Sequence, residues 1–300
     1  MIFTFTDMNI SSKKLTSLFC TLLCLFTACT HNEVTPETGE KTIEFCITNY
    51  MQYDLDEGTR AIPVSESTIL KHLALGVFDE ATGKIKDTLL VQDKNQAGYG
   101  SFTTTLPYGR YRLVFLGYSG DKVCHMDSPE HIYFDSNYVP QTFTYTSILT
   151  VNQDTPTQMD ITLRRVVSAF RLHMEDAIPE NANEFRCVTT GGGTVLNALT
   201  GLTAEQTGRE TTISIADNFK GQTGKELSVY LFLASTPENM DIKVSAIDNK
   251  SNVIVSRTFP SVPMKVNTLT VYKGSFFAGL PYGFSITVED NWDKTVTNEF

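Results

Sequence analysis

Apolar and polar side chains alternate with a period of two along most of this chain, and that pattern restricts the fold more than any other feature. Ile43, Phe45 and Ile47 alternate with polar neighbours, as do Met159, Ile161 and Leu163. The same rhythm returns at Ile213 and Ile215, at Val229, Leu231 and Leu233, and at Ile242, Val244 and Ala246. Val253 and Val255 continue it, and Phe284, Ile286 and Val288 close it. A strand presents successive side chains to opposite faces, so this pattern predicts half-buried sheets. Ser101–Leu106 and Arg110–Tyr118 flank a Pro107-Tyr108-Gly109 turn. Helical periodicity is scarce, with short candidates at Asn181–Phe185 and Ser65–His72. About a dozen strands with turn residues between them predict an all-β protein of β-sandwich type.

The N-terminus carries a different signal. The pair Lys13–Lys14 precedes an apolar run, Leu15–Ala28, that ends at Cys29 through Phe26-Thr27-Ala28. A basic start, an apolar stretch and a small residue before the cut describe a secretory leader. The run is 14 residues, shorter than the ~18–20 a helix needs to cross a bilayer. A cysteine directly after the cut resembles the lipobox of bacterial lipoproteins, which implies lipidation of Cys29, by palmitate among other acyl groups, and tethering to the outer membrane. The opening reads most compactly from Met8, with Met1 as the other start. His31–Lys41 is polar, with Pro36 and Gly39, and has too little apolar surface to pack. The expected organisation is a signal peptide at 1–28, a tether at 29–41, and β-sandwiches at 42–160 and 161–300, with the seam near Thr157–Arg165.

Several function classes are disfavoured. The chain has 24 basic and 34 acidic residues; without Lys13, Lys14 and Asp7 the balance is 22 against 33, a formal charge of −11. Nucleic-acid binding needs clustered cations to displace counterions, so no nucleic-acid partner is expected. Of six cysteines, Cys20 and Cys24 lie in the leader and Cys29 is the lipidation candidate. Cys46, Cys124 and Cys187 remain, either as one disulfide plus a thiol or as three buried thiols. His31, His72, His125, His131 and His173 show no metal-ligand spacing, and the acidic loop around His125 and His131 lacks the EF-hand pattern. Gly191-Gly192-Gly193 lacks the lysine of a phosphate loop and reads as a flexible hinge or turn. Neither a catalytic motif nor a cofactor motif stands out, so the expectation is a non-enzyme without cofactor or metal. One tryptophan, Trp292, is a sparse basis for a carbohydrate platform, although Val123–Tyr138, with His125, His131, Tyr133 and Tyr138, is a candidate ligand loop.

Four segments together resemble the fimbrillin superfamily, the lipoprotein-derived subunits of type V pili. Leu73–Asp79 followed by Gly83-Lys84 resembles its early strand-and-turn element, and Leu106–Val114 its Leu-Pro-x-Gly-x-Tyr hairpin. Arg164–Leu172 resembles the strand that opens its second domain, and Val262–Thr270, with Gly274 and Phe276-Phe277, its late segment. The resemblance implies two tandem transthyretin-like β-sandwich domains behind a lipoprotein signal peptide. It implies a surface-exposed fimbrial subunit whose lipidated first strand is removed by an arginine-specific protease, and whose partners are other fimbrial subunits joined by donor-strand exchange. Arg60–Ala61 is then the expected cut, with Thr42–Tyr50 as the removable strand and Phe284–Val288 as a donor or final sheet strand. Anchor subunits of that superfamily keep their lipid, which leaves an uncleaved anchor as the alternative. A surface lipoprotein that binds a glycan, or another host or bacterial surface ligand, is the second alternative.

Overall fold

The computed structural model describes residues 38–54, 58–278 and 283–289. The first half contains β1 (Glu40–Asp54), β2 (Gly58–Pro63), β3 (His72–Asp79), β4 (Leu90–Asp93) and β5 (Ser101–Pro107). It continues with β6 (Gly109–Tyr118), β7 (Cys124–Ser128), β8 (His131–Phe134), β9 (Thr142–Val151) and β10 (Gln158–Arg165). The second half holds β11 (Ser168–Met174), β12 (Ala182–Thr189), β13 (Leu196–Asn197), β14 (Leu202–Thr203) and β15 (Arg209–Ser214). It ends with β16 (Lys225–Leu231), β17 (Glu238–Asp248), β18 (Val253–Met264), β19 (Leu269–Gly274) and β20 (Ser285–Glu289). Helix among the described residues is limited to three short 3-10 turns, at Val64–Glu66, Asp135–Asn137 and Asp217–Phe219. The all-β reading of the sequence therefore holds. Of the two helical candidates, Ser65–His72 supplies only the first of those turns, and Asn181–Phe185 runs into β12.

The first sheet runs β2-β1-β10-β9-β6-β3-β4, with β5 paired to β1. Ile43, Phe45, Leu73, Leu75, Phe102, Leu113, Phe115, Phe143, Ile161 and Leu163 from six of its strands share one core, so the sheet curls around its own apolar face. In the second half, sheet β16-β11-β19-β20 faces sheet β15-β12-β17-β18. Phe170, Leu172 and Val229 of one meet Phe185, Ile242, Val244 and Phe259 of the other, the interdigitated interior of a sandwich. A third core joins the halves. Leu116 and Phe78 of the first sheet pack with Ile132 and Phe134 of the small sheet β14-β13-β8-β7 and with Ala169, Phe232 and Leu269 of the second half. The described residues from Gly39 onward form one compact unit.

Some expectations about connections are corrected. Twenty strands are present among the described residues rather than about a dozen, because very short pairs such as β13 and β14 leave no alternation to read. The Pro-Tyr-Gly turn does not close a hairpin: β5 pairs with β1, and β6 pairs with β3 and β9. β10 extends to Arg165 in the first sheet, so Arg164 and Arg165 do not open the second half. The passage falls instead at Val166 and Val167, both buried. The Val123–Tyr138 loop is largely the β7–β8 hairpin. Gly191–Gly193 is a packed turn and not a flexible hinge. A Cβ on Gly193 would lie 2.2 Å from the Glu205 carbonyl oxygen, and Gly192 sits at φ +67, so glycine is required by close approach as well as conformation.

Candidate functional site

β1 is the longest strand and lies inside the first sheet. It pairs antiparallel with β5 through Glu40–Cys46, parallel with β10 through Glu44–Met51, and antiparallel with β2 through Asn49–Asp54. Its register with β10 shifts between Ile47 and Asn49; a bulge there bends the strand as it changes partners. Ile43 and Phe45 are fully buried and Ile47 and Tyr50 nearly so. Phe45 meets Phe115 edge-on at 5.4 Å, and Tyr50 meets Phe143 at 5.1 Å. On the polar side, the Ser101 hydroxyl donates to Glu44 Oε1 at 2.5 Å, and the Thr42 and Thr105 hydroxyls are 2.8 Å apart. Lys41 Nζ donates to the Gln153 carbonyl at 2.7 Å.

Burying each of Ile43, Phe45 and Ile47 contributes about 1.5–3 kcal/mol. The three together approach roughly 5–9 kcal/mol, comparable with the whole net stability of a typical domain. A chain without β1 would expose an apolar lane between β5 and β10 and the unpaired backbone groups of both. That lane could accept another strand of the same alternation, because strand addition satisfies backbone and pockets together.

Arg60 and Ala61 lie in β2, the outer strand of the sheet, opposite Gln52 and Met51 of β1. Ala61 is exposed. The expected cut therefore falls where the backbone is paired in the structure. Cys29 lies outside the described residues, as does Trp292. Cys46, on β1, is half-buried, and Cys124 and Cys187 are buried; all three are free thiols. Burial, with the carboxylates of Glu44 and Asp160 beside it, pushes the Cys46 thiol up, which keeps it protonated and poorly nucleophilic.

Two other surfaces are candidates for binding. On the β7–β8 hairpin, His125 stacks on Tyr133 at 4.8 Å and its Nε2 lies 2.7 Å from Asp135 Oδ1. His131 sits between Asp127, at 3.2 Å, and Glu205, at 3.6 Å. No group among the described residues has a metal-binding arrangement. The second surface is an open groove of about 720 Å³ along β9 and β10, with Met51, Tyr145, Asp160, Arg164 and Leu199 on its walls. Those residues come from β1, β9, β10 and the turn after β13, so no single stretch of sequence announces them.

A family model described as "Family of unknown function (DUF6562)" matches residues 127–299. No curated protein matches the sequence. Among solved structures, a candidate polysaccharide-binding protein (DUF1812) from Bacteroides thetaiotaomicron aligns at TM-score 0.50 and 9% identity, over 84% of this chain and 96% of that one. The fimbrial anchor protein from Porphyromonas gingivalis aligns at TM-score 0.40 and 10% identity, over 85% and 98%. A fimbrial assembly protein from Parabacteroides distasonis gives 0.41 and 11%, over 84% and 96%. At such identities the likeness is one of fold.

Proposed function

The chain belongs to the DUF6562 family of unknown function, and from that premise we propose that it is a fimbrillin-like surface subunit, structural or adhesive, that assembles by strand exchange. In this reading Cys29 carries the lipid that holds the precursor at the outer membrane, and a protease cuts between Arg60 and Ala61. The released segment takes all of β1 with it. A strand from a neighbouring subunit then fills the lane between β5 and β10. The role is structural and has no catalytic step.

The observation that supports this reading most is the position of β1. It is an interior strand with buried alternate residues, and it lies wholly upstream of a single arginine on an outer strand. A peripheral N-terminal strand could be lost without consequence, but an interior one demands a replacement.

Incubating the full chain with an arginine-specific protease and mapping the new N-terminus tests the proposal. The expected product begins at Ala61 and forms multimers that Arg60→Ala prevents. A product that begins at Ala61, sheds β1 and stays monomeric would sink the exchange mechanism. One observation favours the uncleaved anchor instead. The Arg60 backbone is already paired to Gln52, and a protease needs a free extended segment. An intact N-terminus at Cys29 on protein taken from native cells would decide for the anchor.

A further inference from the structure

Arg209 begins β15, the outer strand of one sheet of the second sandwich, while Tyr230 lies on β16, the outer strand of the facing sheet. The arginine Nη1 donates to the Tyr230 carbonyl and so joins the two sheet edges. Its residue surface is 8% exposed, and its buried Nε–H has no hydrogen-bond acceptor. Among the described residues no carboxylate pairs with it; the titratable groups that act on it are Cys187 and Tyr138. Burial pushes the Cys187 thiol up to about 12, so it stays neutral at physiological pH and supplies no counter-charge. Burial also pulls the guanidinium down to about 10, which leaves it cationic at neutral pH.

Arg171 on β11 makes an instructive contrast. It is 2% exposed, yet Glu226 lies 3.4 Å from its Nη1 and its Nε donates to the Ser228 hydroxyl at 3.0 Å. A buried cation ordinarily has such a partner, because desolvating an unpaired charge is costly. Arg209 instead lines a cavity of about 140 Å³ between β15 and β16, together with Tyr138, Thr211, Thr212, Ser228 and Tyr230. Thr212 is exposed, so the cavity opens to solvent beside it.

We propose that this cavity is a carboxylate-binding site in which Arg209 holds the anion, with Thr211 and Ser228 on its walls. A guanidinium fork matches a carboxylate in shape as well as charge. The volume suits a carboxylate on a short stem, so a larger acidic ligand would insert only that group and leave the rest outside Thr212. Two sources share this chemistry: a free small carboxylate and the carboxylate of a uronic acid residue. The site lies in the second sandwich and does not depend on strand exchange.

Thermal unfolding of the full chain in acetate, glucuronate or glucose, at ionic strength held constant with chloride, tests the site. Saturable carboxylate binding is expected to raise Tm by about 2–4 °C, and glucose is expected to have no effect. A larger effect of glucuronate at equal concentration identifies an acidic saccharide; equal effects identify a free carboxylate. Arg209→Met is expected to abolish the rise. Because that variant also loses the clasp to Tyr230, Thr211→Trp serves as the second: Thr211 lines the cavity on the same strand face as Arg209, so the indole fills the space, leaves the guanidinium in place, and is expected to lose the response as well. No carboxylate-dependent shift in the unaltered protein, an equal shift with glucose, or an undiminished shift in Thr211→Trp would overturn the proposal.

Discussion

Phe45 and Asp176 show two ways in which single residues hold this molecule together. Phe45 is fully buried with its ring against Phe115, so Phe45→Ala is expected to cost about 3–5 kcal/mol through lost transfer energy and a cavity. Urea denaturation measures this directly, and a loss below about 1 kcal/mol would mean that β1 is not the interior strand described, since surface truncations fall in that range. Asp176 works through its carboxylate. It accepts the backbone N–H groups of Phe276, Phe277 and Ala278 at 2.9, 2.7 and 2.8 Å, and thereby fixes the turn that leaves β19. Asp176→Ala is expected to cost about 1.5–3 kcal/mol, the range for hydrogen bonds to a charged group. Hydrogen exchange at those three amides would rise well before exchange in β11 or β19. Uniform acceleration across the sandwich would instead assign Asp176 a global role.

At the scale of elements, the proposed cut depends on how readily β2 leaves β1. β2 is an outer strand of six residues, and such edges open locally at less cost than the core unfolds. Cleavage after Arg60 is therefore expected to accelerate in urea well below the global midpoint. A cleavage rate that rises only with global unfolding would show that β2 does not open alone. Strand existence was legible in the sequence because one buried face enforces alternation, as at Ile43, Phe45 and Ile47. Strand partnership was not. Pro107-Tyr108-Gly109 has the chemistry to reverse the chain, but turn chemistry does not say whether the next strand lies beside the last one. β5 finds β1 about 60 positions away in sequence, and nothing local marks that pairing. The same limit hid Arg209, whose neighbours on β8's following segment, β12 and β16 meet only in the folded sandwich. At the other end, β20 reads as an ordinary half-buried strand, yet Ile286 and Val288 are 55% and 49% exposed. It pairs with β19 along one edge and packs little.

For the whole molecule, the interior contains acids that must stay protonated, and this fixes the direction of its alkaline behaviour. Burial pushes the thiols of Cys124 and Cys187 up to about 12 and drives the phenols of Tyr99 and Tyr118 upward as well. Each group binds its proton more tightly when folded than when unfolded. Above the ordinary thiol value of 9.0 the unfolded chain loses protons that the folded chain retains, so stability falls as pH rises. Each thiol contributes a loss approaching about 1.4 kcal/mol per pH unit between the unfolded and folded values. Below pH 8 the same groups leave stability unchanged. Depressed carboxyls act at the acid end: Asp79, held down by hydrogen bonds from Thr82, and Asp248, held down by Asn252. Their contribution is present above the ordinary carboxyl range and is lost as pH falls through their folded values. The urea midpoint is thus expected to be flat from about pH 6 to 8 and to fall from pH 9 upward. The double variant Cys124→Ala, Cys187→Ala, although less stable at pH 7, should show a shallower alkaline slope. An unchanged slope would assign the alkaline loss to the buried tyrosines alone, and a rising midpoint above pH 9 would contradict the burial of all four groups.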